Sequence, residues 1–311
     1  MKKIALVLIA LTLSSLSFAR NKVIYGTDNR LDVYQVTNPL YRNLVRATAG
    51  MIHQSAFSNG KDMMHYKIRG AQSLASAMNV CAGEKFAEQK LAPSCSGFLV
   101  GPDTIVTAGH CYQGYDRPAN ICKQYKWVFD YHLNSPDHDP SQDINVENIY
   151  GCKEILSTAL NSTMDFAVIR LDRPVTGRPF LKFRQSGKLA NNETLVVIGH
   201  PSGLPTKVAQ NAFVTKNTES TRFSASLDTF AGNSGSAVFN ASTGLVEGIL
   251  VMGKTDYVAK NERDPNSCLV VNRCDQTGRN CLYNDDDYVV RDGEVVTRIT
   301  AILPELEHAL R

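Results

Sequence analysis

From residue 97 onward, apolar residues come in short runs broken by turn-forming residues: 97–100, 104–107, 126–131, 166–171, 195–198, 237–239 and 245–252. Such runs, with Gly, Pro, Asn and Asp between them, read as strands. So many in succession predict an all-β protein of barrels or sandwiches. A further strand is expected at 47–52. The pattern then changes character. Ala71-Gln-Ser-Leu-Ala-Ser-Ala-Met78 and Glu84-Lys-Phe-Ala-Glu-Gln-Lys90 read as short helices that Pro93 ends, so residues 57–93 are expected to form a helical insertion. Residues 300–310 carry apolar positions at helical spacing and predict a closing helix. Asp172-Arg-Pro-Val-Thr-Gly-Arg-Pro179 is rich in Pro and Gly and lies between two groups of strands. It divides the chain into a first unit, 23–172, and a second, 173–311. A length of 311 residues agrees with two domains.

The first residues interrupt this pattern. Met1-Lys2-Lys3 precedes an apolar run over 4–13, and Ser17-Phe18-Ala19 supplies small residues for cleavage, so 1–19 reads as a secretory signal. The run is too short to span a bilayer, and no later segment is longer. No membrane anchor is expected, and the location is secreted or periplasmic. Removing 1–19 takes away Lys2 and Lys3 and lowers the formal charge from +3 to +1. That balance gives no reason to expect nucleic acid as a partner. Eight cysteines in an exported chain point to disulfides. No pair has Cys-x-x-Cys spacing, so metal is the weaker reading, and no cofactor is expected. Asp285, Asp286 and Asp287 form an acidic run that reads as a solvated loop rather than a calcium site.

The candidate chemistry lies in three stretches. In Leu227-Asp-Thr-Phe-Ala-Gly-Asn-Ser-Gly-Ser-Ala-Val-Phe-Asn240, Ser234 is the candidate nucleophile. A serine hydroxyl needs a base and a stabilised oxyanion. Gly232, lacking Cβ, lets the backbone turn so that the N–H groups of Gly232 and Ser234 point into one hole. Cys95-Ser-Gly-Phe-Leu-Val-Gly-Pro-Asp-Thr-Ile-Val-Thr-Ala-Gly-His-Cys111 reads as a hairpin that delivers His110 at a strand end, beside a cysteine that can be tied back to Cys95. Asp165 stands directly before an apolar strand, where its carboxylate can accept the imidazole Nδ1–H. The chain order is His, Asp, Ser, and Ser236 stands where an α/β-hydrolase elbow would have glycine. His200, in a Gly-His-Pro-Ser-Gly turn, is given no role.

The Thr107-Ala-Gly-His-Cys111 box, Asp165-Phe-Ala-Val-Ile169 and Asp228-Thr-Phe-Ala-Gly-Asn-Ser-Gly-Ser236 resemble the three catalytic boxes of trypsin/chymotrypsin-fold serine peptidases, more narrowly the bacterial glutamyl-endopeptidase-like ones. Val23-Ile-Tyr-Gly26 resembles their mature N-terminus, so residues 20–22 read as a short propeptide removed after Lys22. The resemblance implies two six-stranded antiparallel Greek-key barrels, with His110 and Asp165 from the first and Ser234 from the second. It implies a Cys95–Cys111 bridge behind the histidine. Cys122 and Cys152 flank strand-like segments of the same barrel and are expected to pair, while Cys81, Cys268, Cys274 and Cys281 stay unassigned. Asp228, Thr229 and Leu250 are the expected substrate-binding residues. Asp228 occupies the place of the carboxylate that trypsin-like enzymes use to hold Arg or Lys, although glutamate-specific relatives also carry Asp-Thr there. Leu250 stands where those relatives have a histidine. Basic residues before the cut are therefore ranked slightly ahead of apolar ones, and Glu last. Asn233 departs from the aspartate of the animal enzymes and cannot pair with a new N-terminal amine. The expected function is an exported serine endopeptidase acting on proteins or peptides through an acyl-enzyme, as a monomer. The alternative is a catalytically silent, disulfide-stapled binding protein on the same fold.

Overall fold

A computed structural model describes residues 23–113, 118–283 and 290–311. The signal, the short propeptide and the acidic run at 285–287 lie outside the described residues.

Six strands close the first barrel: β1 (Thr48–His53), β2 (Cys95–Gly101), β3 (Thr104–Thr107), β4 (Tyr125–Phe129), β5 (Ile149–Leu160) and β6 (Asp165–Leu171). Around the barrel they run β1-β4-β5-β6-β3-β2. The second barrel uses β7 (Thr194–Gly199), β8 (Lys207–Lys216), β9 (Arg222–Ala225), β10 (Ala237–Asn240), β11 (Val246–Met252) and β12 (Glu294–Arg298). Their order, β7-β10-β11-β12-β9-β8, closed by pairing of β7 with β8, repeats the first barrel's topology strand for strand. All these pairings are antiparallel. The two six-stranded barrels agree with the expected fold.

Closure explains the continuous apolar runs. In β2 and β3 every residue is buried, because one face fills the barrel and the other is covered by the rest of the chain. Trp127 on β4 is fully buried, and its indole N–H donates to the Tyr112 hydroxyl at 3.1 Å. A Cβ on Gly97 would come within 2.7 Å of the Trp127 ring, so glycine there makes room for the indole. Trp127→Ala is expected to destabilise the fold by about 3–5 kcal/mol, read from denaturant unfolding.

Three features differ from the sequence expectation. The strand Arg30–Asp32, grouped by sequence with the first unit, pairs with β8 of the second. The insertion is less helical than its composition predicts. It opens with a hairpin, Phe57–Asn59 and His65–Ile68, and has one short helix, Leu74–Met78, capped by the Ser73 hydroxyl. The stretch 84–90 is a series of turns. Phe86 is left-handed at φ 68°, which no helix accommodates, and the Lys85 ammonium is drawn away to the Arg30 carbonyl. Tertiary contacts with the N-terminal segment override the helical propensity.

The closing helix, Leu303–Ala309, follows a short 3-10 turn, as expected. Four disulfides staple the chain: Cys95–Cys111, Cys122–Cys152, Cys81–Cys268 and Cys274–Cys281. The first two are the pairs the sequence pointed to. Cys81–Cys268 ties the insertion to the second unit, where Val80 also bridges Leu269.

Candidate active site

β3 runs into the turn Gly109–Tyr112, and this turn carries His110. Glycine at 109 is required, because a Cβ would lie 2.1 Å from the Ala159 carbonyl of β5. Asp165 opens β6, the strand next to β3, so register alone brings the two residues together. The His110 N–H donates to Asp165 Oδ1 at 3.0 Å, and His110 Nδ1 lies 2.9 Å from Asp165 Oδ2. A carboxylate accepts only, so Nδ1 carries the proton and Nε2 is left as the basic nitrogen. Asp165 is buried, and its carbonyl accepts from the Thr297 hydroxyl of β12, which anchors the acid to the second barrel.

Ser234 arrives from the other barrel on the loop after β9. Its carbonyl accepts from Ser96 N–H at 2.8 Å and lies 3.8 Å from Sγ of Cys111, the residue after His110. The Ser234 loop is thus seated on the disulfide that brackets the histidine. Two glycines make this seat. Gly232 has φ +90°, and a Cβ there would be 2.6 Å from the His200 carbonyl; Gly235 has φ +88°, and a Cβ would be 2.1 Å from the Ser96 carbonyl. The N–H groups of Asn233, Gly235 and Ser236 bond to the carbonyls of Phe230, Leu250 and Asn233.

Ser96 was not singled out from the sequence, yet it is fully buried between the barrels. Its hydroxyl donates to the Gly232 carbonyl at 2.8 Å and accepts from His200 N–H at 2.9 Å. Asp256 was missed as well, and its carboxylate accepts the Ala231 N–H at 2.9 Å. A serine after a cysteine and an aspartate in a loop carry no local signal of these roles. Asn233 turns inward, its amide donating to Thr229 Oγ1 while its carbonyl oxygen accepts from Ser236. The loop is therefore locked by neutral groups where an aspartate would need a counter-charge.

The expected substrate-binding residues are placed differently from one another. Asp228 is buried, and both its oxygens are taken by backbone, Oδ1 by Tyr25 N–H and Oδ2 by Asn29 N–H, each at 2.8 Å. Thr229 is also buried, its N–H directed at the Val23 carbonyl. Leu250 is fully buried in the core of the second barrel, among Leu195, Val197, Phe223 and Val296. His200 is buried with Nδ1 on the Leu204 carbonyl, and burial lowers its pKa to about 3, so it is a neutral structural imidazole. Among the described residues, the only compact group of metal-ligand types is Cys95, His110 and Cys111. Two of these are the sulfurs of a disulfide, which are not thiolate ligands.

Burial raises the Asp228 carboxyl to about 6, against the two N–H bonds that hold it down. The folded state keeps this proton where the unfolded chain releases it. Asp228 thus contributes stability that is fully present below about pH 4 and lost as pH rises through about 6. Asp228→Asn is expected to flatten that part of the curve. Unfolding free energies of the two proteins should converge or diverge only between about pH 4 and 6, and parallel curves would rule this out.

Residues 95–249 match the sequence model of the trypsin-like peptidase domain. In structure the chain is similar to a Glu endopeptidase solved in complex with MPD, with a TM-score of 0.51 and 16% identity, covering 92% of this chain and 99% of that one. It is also similar to the VesB protease of Vibrio cholerae, with a TM-score of 0.50 and 13% identity, covering 93% of this chain and 68% of that one. At these identities the likeness is one of fold. No curated protein matches the chain in sequence. The match over 95–249 and the paired barrels together give the chain a trypsin-like peptidase domain on the trypsin/chymotrypsin fold.

Proposed function

We propose that this chain is an exported serine endopeptidase that works through an acyl-enzyme, with His110, Asp165 and Ser234 as its triad. The observation that carries this reading is the His110 Nδ1 to Asp165 Oδ2 bond of 2.9 Å, made beside the seat of Ser234. His110 Nε2 takes the Ser234 proton as Oγ attacks the scissile carbonyl. The N–H groups of Gly232 and Ser234 receive the oxyanion, and Asp165 stabilises the imidazolium. His110 then protonates the leaving amine and activates the water that releases the acyl group. Signal cleavage after Ala19 and four disulfides support an oxidising compartment outside the cytoplasm.

Asp228 is a weakened partner for a cationic side chain, since each of its oxygens already accepts a backbone N–H and burial raises its carboxyl to about 6. Leu250 gives an acidic one no donor. An apolar residue before the cut is therefore the proposed preference, ahead of the basic residue that position 228 suggests in sequence. An unmatched charge in such a pocket typically costs about 1.5–3 kcal/mol, a factor of roughly ten or more in kcat/KM. Matched peptides with Leu, Arg or Glu before the cut test this: Leu is expected to lead, and a preference for Arg that disappears in Asp228→Asn would restore the trypsin-like reading. The alternative, a silent binding protein, requires that none of the three be cleaved.

A further inference from the structure

β9 ends at Ala225 and feeds the loop that carries Ser234. Ala225 pairs with Glu294 at the start of β12, and Met252 at the end of β11 pairs with Val295. The end of the second barrel that bears the nucleophile loop therefore also bears residues 252–254 and the turn before β12. At this end lies a pocket of about 550 Å³ lined by Thr215, Lys254, Thr277, Arg279, Arg291 and Asp292, among others. Three of these side chains are cationic and one is acidic. The acid is already engaged, Asp292 lying 3.2 Å from the Lys216 ammonium. Arg279 and Arg291 form no ion pair among the described residues.

The walls are built rather than incidental. Lys254 is 4% exposed, and its ammonium donates to the Gly278 carbonyl at 2.9 Å. That carbonyl belongs to a loop closed by Cys274–Cys281. Within the loop, Asp275 Oδ1 accepts from the N–H groups of Thr277 and Arg279 and from the Thr277 hydroxyl, while Oδ2 accepts from Asn280 Nδ2. The loop backbone that presents Arg279 is thus fixed before any ligand arrives, which reduces the ordering cost of binding.

We propose that this pocket is a second substrate-binding site, which takes carboxylate side chains of an acidic stretch in a polypeptide whose scissile bond lies at Ser234. The inference rests on the peptidase reading and extends it to substrate class. Arg279 and Arg291 supply the outer charges, and Lys254 fixes the floor and adds its own. The hydroxyls of Thr215 and Thr277 offer neutral donors beside them. Asp228 and Leu250, on which the preference beside the cut is argued, do not line this pocket, so acidic recognition here is compatible with an apolar residue there.

The test titrates an oligoglutamate peptide into the Ser234→Ala protein at low ionic strength. Binding is expected to weaken with salt, as exposed charge pairs do, and to weaken about tenfold in the double variant Arg279→Gln/Arg291→Gln. Lys153→Gln, an exposed cation on β5 of the first barrel, is the control and should leave binding unchanged. With the active protein, the double variant should raise KM for a peptide with an acidic stretch while kcat holds. Equal affinity for both proteins, equal loss in the Lys153 variant, or tight binding of inorganic phosphate without binding of the peptide would each overturn the proposal. Absence of all hydrolysis would count against the peptidase reading alone, because the titration is independent of cleavage.

Discussion

Ser234→Ala is expected to lower kcat for peptide hydrolysis by roughly four to six orders of magnitude while KM and the thermal midpoint stay near those of the parent. The substitution removes one hydroxyl and keeps the Cβ, so the loop keeps its anchors: Ser96 N–H on the residue-234 carbonyl, and the positive-φ glycines on either side. The N–H groups of residues 232 and 234 also survive, and these should leave a slow residual rate through oxyanion stabilisation alone. Initial rates at matched folded concentration, with circular dichroism to establish folding, measure the effect. A variant that retains more than a few per cent of activity would place the nucleophile elsewhere.

Asp165→Asn is expected to cost about 10⁴-fold in kcat, with little change in fold. Both Asp165 oxygens bear on His110, one accepting its backbone N–H and the other facing Nδ1. An asparagine oxygen can still take the backbone N–H, but its amide then presents N–H groups to Nδ1. The imidazole responds by placing its proton on Nε2, and the nitrogen that must accept the Ser234 proton becomes a donor. Asp165→Ala, by contrast, should also loosen the turn Gly109–Tyr112, because the His110 N–H loses its acceptor in a buried place. A drop in kcat for Asn with an unchanged unfolding midpoint, against a lower midpoint for Ala, separates the tautomer effect from a packing effect.

The candidate site was legible where its chemistry is local. His110 sits in a hairpin whose strands, turn and cysteines fall within 95–111, and Ser234 lies between glycines that only a tight turn requires. Asp165 was legible because an acid directly before a fully buried run is costly unless it has a task or a partner. The setting of Asp228 was not legible, since its partners, Tyr25 and Asn29, are some 200 residues away in sequence. Ser96, whose partners Gly232 and His200 are more than 100 residues away, was invisible for the same reason, and Asp256 because an aspartate in a loop gives no local signal of its partner Ala231.

The fold shows a similar division. Strands buried on both faces, such as β2 and β6, stand out as apolar runs. β5 does not, because it is half-exposed and its pairing with β6 slips at two bulges, between Cys152 and Glu154 and between Ile155 and Ser157. Each bulge resets the two-residue alternation by which a one-sided strand is read. β8 carries Asn211 at φ 64° in its middle and was hidden likewise. The repeat of one barrel topology in the other is carried by backbone order alone, and the sequence shows no internal repeat.

Activation of Ser234 by His110 and Asp165 is tested most directly by covalent labelling of that one hydroxyl. The folded protein, with its disulfides intact, is treated with a fluorophosphonate and digested for mass spectrometry. One adduct is predicted, on the peptide containing Ser234, absent from Ser234→Ala and formed far more slowly by Asp165→Asn. Folded protein that stays unlabelled, or that carries its label on another serine, would contradict the account and favour the silent binding protein.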